Sequence, residues 1–200
     1  MHHAKKSVNY KVRRRIVIGL SFAILALLYL FRNINYLILS LSAIALILVF
    51  YITDHSFDIR FKTRHYVFIT FIAVAGFLLY PLYSIYPSYD KFLHFVEPIM
   101  LSSFIFHMVS HLNLKFKWRL IFTFFIVIGF VGLFEIGEYT LDYFFDLKLQ
   151  GVFLRDLQNL GETLHIIQDP LNDTMIDMSL GVLGALTYLV SMSLFFRKSS

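Results

Sequence analysis

The run RLIFTFFIVIGFVGLFEIGEYTLDYFF, residues 119–145, decides the fold. From Leu120 to Phe134 it carries no charge, and Glu135, Glu138 and Asp142 follow directly. An apolar stretch of this length reads as a membrane-crossing helix, which needs roughly 20 residues. A charge in hydrocarbon costs roughly 2.5–3.5 kcal/mol or more, so carboxylates at the end of such a run need a reason of their own.

The rest of the chain agrees with a membrane reading. Of its 200 residues 58% are hydrophobic and 16% charged, whereas a soluble domain carries about 25% charged residues. The 23 Phe and 12 Tyr suit lipid-facing and interfacial positions. There is no Cys, which excludes disulfides, thiolate metal sites and cysteine nucleophiles. The net charge of +5 is distributed for membrane orientation rather than for nucleic acid. The N-terminal MHHAKKSVNYKVRRR resembles a signal-peptide flank, but no small-residue cleavage site follows IVIGLSFAILALLYLF. That run is read as a retained anchor.

Apolar runs at about 16–31, 36–52, 67–86, 92–112, 119–137 and 175–196 predict an all-α, polytopic bundle of about six transmembrane helices. The first two are short and joined only by RNIN, which also fits a tilted or re-entrant hairpin. Residues 1–15 form a basic N-terminus, and 16–200 a single transmembrane domain. Fourteen of the 18 Lys and Arg fall in four segments on one side: 1–15, 53–66, 111–119 and the tail. The positive-inside rule makes that side cytoplasmic, with both termini inside an integral multi-pass protein of the cell membrane. Of the 13 acids, only Asp54 and Asp58 lie on the cytoplasmic side.

The other acids gather in the outer half. In YDKFLHFVEPIM, residues 89–100, Asp90, His94 and Glu97 fall within about 60° of helix arc and descend roughly 10 Å. Glu135, Glu138 and Asp142 share one face at i, i+3 and i+7, and Asp173 and Asp177 stand at i, i+4 near the start of the last run. Carboxylates at close range cannot all stay ionised without a counter-charge. Only Lys91 and Arg155 are local, and Lys91 sits about 100° around the helix from Asp90. The missing positive charge is then a metal, protons or a cationic substrate. Carboxylates with His and no thiolate suit Mg²⁺, Mn²⁺ or Ca²⁺, and admit Zn²⁺. Pro98 cannot donate to the His94 carbonyl, which becomes a further candidate ligand. Polar residues also serve as interhelical glue, at roughly 0.6–2 kcal/mol each. Eight acidic or His positions at one depth on three helices exceed that need and point to a site.

Other features read more plainly. His107 and His111 fall at the cytoplasmic interface. Gly129, Gly132, Gly181 and Gly184 permit close helix packing, and Gly137 would let a backbone or substrate approach. Tyr80, Tyr83, Tyr86 and Tyr89 form an outer aromatic belt. The segment at about 145–172 is too polar to span. Its GVFLRDLQNLG is spaced for a short amphipathic helix lying in the outer interface, either a lid or a plain surface connection. His165 and Asp169 follow it as possible completions of the polar ring.

At YDKFLHF, FEIGEYTLD and NDTMIDMSLGVLGA the chain resembles the YjdF-like family of small membrane proteins and, more distantly, the VanZ-like proteins associated with glycopeptide resistance. The resemblance covers about 80–190. It departs from the VanZ-like pattern in lacking a Gln after the central Glu and an Arg in the following loop, which makes the YjdF-like relation the closer one. The resemblance implies the polar site and no particular reaction.

Three functions follow from the residues. The first is a metal-dependent hydrolase or transferase acting on a lipid headgroup or lipid-linked substrate at the outer leaflet. In it His94, Glu135, Glu138, Asp173 and Asp177 are ligands to one or two ions, and Asp90 or Glu97 is the general base. No Gly-x-Ser-x-Gly elbow, His-Glu-x-x-His or P-loop supports another chemistry. The second is a proton- or cation-coupled transporter, against which stand the apolar inner halves of the helices and the lack of inverted repeats. The third is a non-catalytic membrane protein that binds a metal or another ligand.

Overall fold

The computed structural model describes residues 34–56, 59, 61–155 and 164–199, with seven further positions between 12 and 26. The basic stretch 1–15 and the first apolar run, 16–31, lie largely outside the described residues. The chain divides into two units, Met1–Tyr80 and Pro81–Ser200.

In the first unit, α1 (Ile34–Ser56) buries Ala43, Ile47, Phe50 and Asp54 along one face at helical spacing. Asp54 accepts hydrogen bonds from Phe61 N at 3.4 Å and the Tyr66 hydroxyl at 3.3 Å. The Phe50 ring stacks on Phe61 and meets Tyr66 edge-on. α2 (Thr63–Ile72) runs into a π-helical stretch, Ala73–Leu78, where Leu79 N bonds Val74 O at 2.9 Å. A short 3₁₀ turn, Tyr80–Ser84, follows. The run expected as one helix at 67–86 is therefore broken. Pro81 lacks an N–H and crowds the preceding turn, so regular α-helix cannot continue through it.

The second unit is built on α3 (Pro87–Val109), α4 (Phe116–Phe145) and α5 (Pro170–Ser199). Pro87 opens α3 at a position where its fixed φ fits and no N–H is needed. α4 stops where Asp146 turns left-handed, at φ 50°. Among the described residues these three helices are long and apolar enough to cross a membrane, while Leu41–Asp54 and Thr63–Phe77 are shorter apolar helices. Phe122, Phe125, Phe130, Leu133 and Ile136 project outward from α4, a surface for which lipid is the fitting solvent. Ile105, Val109, Val127 and Ala185 form the buried centre between the three helices.

Small residues on α5 set how closely the helices approach, as a membrane interior requires. A Cβ at Gly181 would come within 2.8 Å of Val131 Cγ1, and one at Gly184 would collide with the Phe95 carbonyl oxygen. Gly129, Gly132 and Gly137 differ from expectation: among the described residues a Cβ there meets nothing within 4 Å. Thr123, Thr140, Ser179, Thr187 and Ser191 donate their hydroxyls to carbonyls one turn back, which satisfies them without a partner helix.

Between α4 and α5 lies an antiparallel pair, β1 (Val152–Arg155) and β2 (Leu164–Gln168), with Phe153 opposite Ile166 and Leu154 opposite His165. The amphipathic helix expected over residues 151–161 is thus corrected at its start; 156–163 lie outside the described residues. Lys148 at φ 59° and Gly151 at φ 92° break any helical path before Val152. Val152, Phe153, Ile166 and Ile167 are residue types that favour strands.

Candidate cation site

The N-terminal ends of α3 and α5 and the C-terminal end of α4 bring their acids together. Asp90 and Asp173 each lie in a first helical turn, where the positive end of the helix dipole favours a carboxylate. That accounts for part of the clustering without a ligand. It does not account for Glu97, Glu135, Glu138 or Asp177, which lie deeper in their helices.

Lys91 is the first surprise. Its Nζ lies 3.1 Å from Asp90 Oδ2, 2.9 and 3.0 Å from the two oxygens of Asp177, and pairs with Asp173 Oδ1 as well. The expectation that Lys91 faces away from the acids is corrected. Angular position fixes a Cα, whereas a four-carbon stem lets the ammonium reach around it. Asp177 and Asp173 are almost fully buried, with side chains 1% and 4% exposed, so the ammonium is their principal counter-charge.

Asp173 and Asp142 also hold the chain between α4 and α5. The second oxygen of Asp173 accepts Gly151 N at 2.7 Å. The Asp142 oxygens accept Leu149 N at 2.8 Å and Gln150 N at 2.7 Å. Both carboxylates are therefore engaged by backbone donors, and neither belongs to a described group of potential ligands with mutual reach. Asp169 is exposed and caps α5, accepting Asn172 N at 3.1 Å, which holds its carboxyl below the usual range. His165 is exposed on β2. The structure thus places neither of the suggested ring members within the cluster.

On the other face of the cluster, His94 stands between two sets of acids. Its Nε2 is 3.3 Å from Asp90 Oδ1 and its Nδ1 is 3.5 Å from Glu135 Oε1. Two groups could each offer ligand atoms within 4.8 Å of one another: Asp90, His94 and Asp177, and His94, Glu135 and Glu138. Glu135 has a side chain only 5% exposed, and its Oε1 has no hydrogen-bond partner. Glu97 Oε1 is likewise buried without one. Among the described residues no Lys or Arg pairs with Glu97, Glu135 or Glu138. Among the described residues six carboxylates thus face one ammonium and one imidazole, a balance that calls for further positive charge.

Tyr83 was read from sequence as part of an aromatic belt, and the structure gives it a second setting. It lies close enough to Glu97, Asp90 and Glu138 to feel their charges, and its ring meets that of Tyr89 edge-on at 5.2 Å. No α-helical spacing rule would have found it, because it precedes α3 in a short 3₁₀ turn. His107 and His111 sit at the opposite end of α3, with rings 4.9 Å apart.

A helical membrane protein with a carboxylate–histidine cluster at one end of three long apolar helices is the class these features define. Over residues 14–198 the chain matches the family described as "Predicted membrane protein (DUF2238)", and it belongs to that family. No curated protein and no solved structure gave a significant match.

Proposed function

We propose that this is a multi-pass protein of the cell membrane whose His94, Glu135 and Glu138 bind a divalent cation and use it on a lipid headgroup or lipid-linked substrate, by hydrolysis or group transfer. The topology proposed with it has six crossings and both termini cytoplasmic, which turns the cluster outward. The YjdF-like resemblance fits a membrane family with this cluster and adds no reaction to it.

The observation that carries the reading is the Glu135 carboxylate. Its Oε1 is buried, lacks a hydrogen bond, and faces His94 with Glu138 in reach. A buried acceptor without a donor is costly, and a cation bound by two carboxylates and an imidazole would satisfy it. Mn²⁺, Mg²⁺ and Zn²⁺ all accept this donor set. Such an ion would polarise a phosphoryl or carbonyl oxygen and lower the pKa of a bound water. Glu97, which no Lys or Arg engages among the described residues, is the better general base. Asp90 is held by Lys91 and His94.

Transport is the weaker reading. Below the cluster the three helices close on Ile105, Val109, Val127 and Ala185, an apolar plug with no charged relay among the described residues.

The test is the metal content of detergent-purified protein prepared without chelators, beside a Glu135→Ala, Glu138→Ala variant shown to be helical by circular dichroism. Metal in the wild type and none in the variant supports the reading. Equal contents, or none in either after dialysis against Mn²⁺, overturn it. If metal is bound, release of headgroup phosphate from lipid phosphoesters is the activity to screen.

A further inference from the structure

We infer that the site takes a single divalent cation, and that the Lys91 ammonium occupies the place a second ion would otherwise fill. The inference rests on the metal reading above and goes beyond it by fixing the number of ions and the residue that sets it.

The two candidate ligand groups are alike in chemistry. Each has two carboxylates and shares His94: Asp90 and Asp177 on one side, Glu135 and Glu138 on the other. His94 presents Nε2 to the first and Nδ1 to the second. Donor types alone would therefore predict two ions, one on each ring nitrogen of a shared His94.

Lys91 breaks the equivalence. Its Nζ touches Asp90 Oδ2, both oxygens of Asp177 and Asp173 Oδ1, which uses all three ammonium protons. A divalent ion must approach the same oxygens to about 2.0–2.6 Å, a position it shares with the ammonium only by displacing it. The remaining oxygen of Asp173 already accepts Gly151 N, so that side has its positive charge and its hydrogen bonds. The Glu135–Glu138 side has neither a lysine nor an arginine among the described residues; Thr174 bonds the Glu135 carboxyl, but its Oε1, in a side chain 95% buried, has no hydrogen bond and faces the His94 ring at 3.5 Å. A tethered cation fills one half of a matched pair of sites and leaves the other half for an ion from solution.

The experiment is equilibrium dialysis of the full chain in detergent against Mn²⁺ alone, with bound manganese counted per chain. Wild type is expected to bind one Mn²⁺, Lys91→Arg one, and Lys91→Met two. Because the two ions in Lys91→Met would share His94, its Mn²⁺ electron paramagnetic resonance spectrum should show pair coupling that the wild type lacks. Asp177→Asn should keep its single Mn²⁺, whereas Glu138→Gln should lose it. Two ions in the wild type, one in folded Lys91→Met, or loss of the ion in folded Asp177→Asn overturns the inference. No Mn²⁺ in the wild type removes the metal reading itself, which separates the two failures. Should Lys91→Met not fold, the wild-type, Lys91→Arg and Asp177→Asn counts still decide.

Discussion

The two sides of His94 hold the same kinds of ligand and solve the same electrostatic problem in different ways. On the Asp90–Asp177 side the chain supplies its own cation, Lys91, and ties Asp173 to the Gly151 backbone. On the Glu135–Glu138 side it leaves a buried oxygen without a hydrogen bond, facing the His94 ring at 3.5 Å. The contrast teaches how to tell a structural cluster of acids from a binding one. Both are acidic and buried, and only the accounting of donors and counter-charges separates them.

The largest effect should come from removing the tethered charge. Lys91→Met strands Asp173 and Asp177, and breaking a buried pair by deleting one partner costs about 3–5 kcal/mol. Thermal unfolding in detergent should show a much lower midpoint, partly restored by Mn²⁺. An unchanged midpoint would break the distinction between the two sides.

The mirror substitution should behave oppositely. Glu135→Gln removes a buried charge that no Lys or Arg of the described residues opposes, so metal-free stability should hold or rise slightly. Wild type should gain about 2.7 kcal/mol when Mn²⁺ stands at a hundred times its Kd, and Glu135→Gln should gain almost nothing. Equal stabilisation of both by Mn²⁺ would place the ion elsewhere.

A smaller effect belongs to the loop. Asp142→Ala releases the Leu149 and Gln150 amides, and hydrogen bonds to a charged group are worth roughly 1.5–3 kcal/mol. Limited proteolysis within 146–151 should quicken while the Mn²⁺ count stays at one. Loss of the ion would mean that Asp142 serves the site rather than the loop.

The smallest effect is at the α5 cap. The Asp169 carboxyl is held below its usual value by the Asn172 N–H. A lowered folded value contributes stability above the unfolded value, and that contribution fades as pH falls through the folded one. Asp169→Ala should therefore lower the midpoint slightly at neutral pH, and the difference should vanish in strong acid. A difference that persists there would show that the carboxylate charge is not what matters.

Much of this was legible in sequence. The apolar runs located α3, α4 and α5, and helical spacing put Asp90, His94 and Glu97 on one face and Glu135 and Glu138 on another. The small residues Gly181 and Gly184 were rightly read as packing positions. What sequence could not show was non-local or concerned side-chain paths. The turn angle of Lys91 said where its Cα stands and nothing of where four methylenes carry the charge. That Asp142 and Asp173 also accept backbone amides was not legible, because nothing in the sequence reveals that residues 149–151 pass over them. Val152 to Leu154 fits an amphipathic helix as readily as a strand until Leu164–Gln168 is known to lie alongside.

The central claim is that His94, Glu135 and Glu138 hold a divalent cation. Its most direct test is the Mn²⁺ bound per chain by wild type and by Glu138→Gln, purified side by side in detergent and shown to be equally folded. The account predicts one ion in the wild type and none in the variant. The same count in both, or none in the wild type, would contradict it.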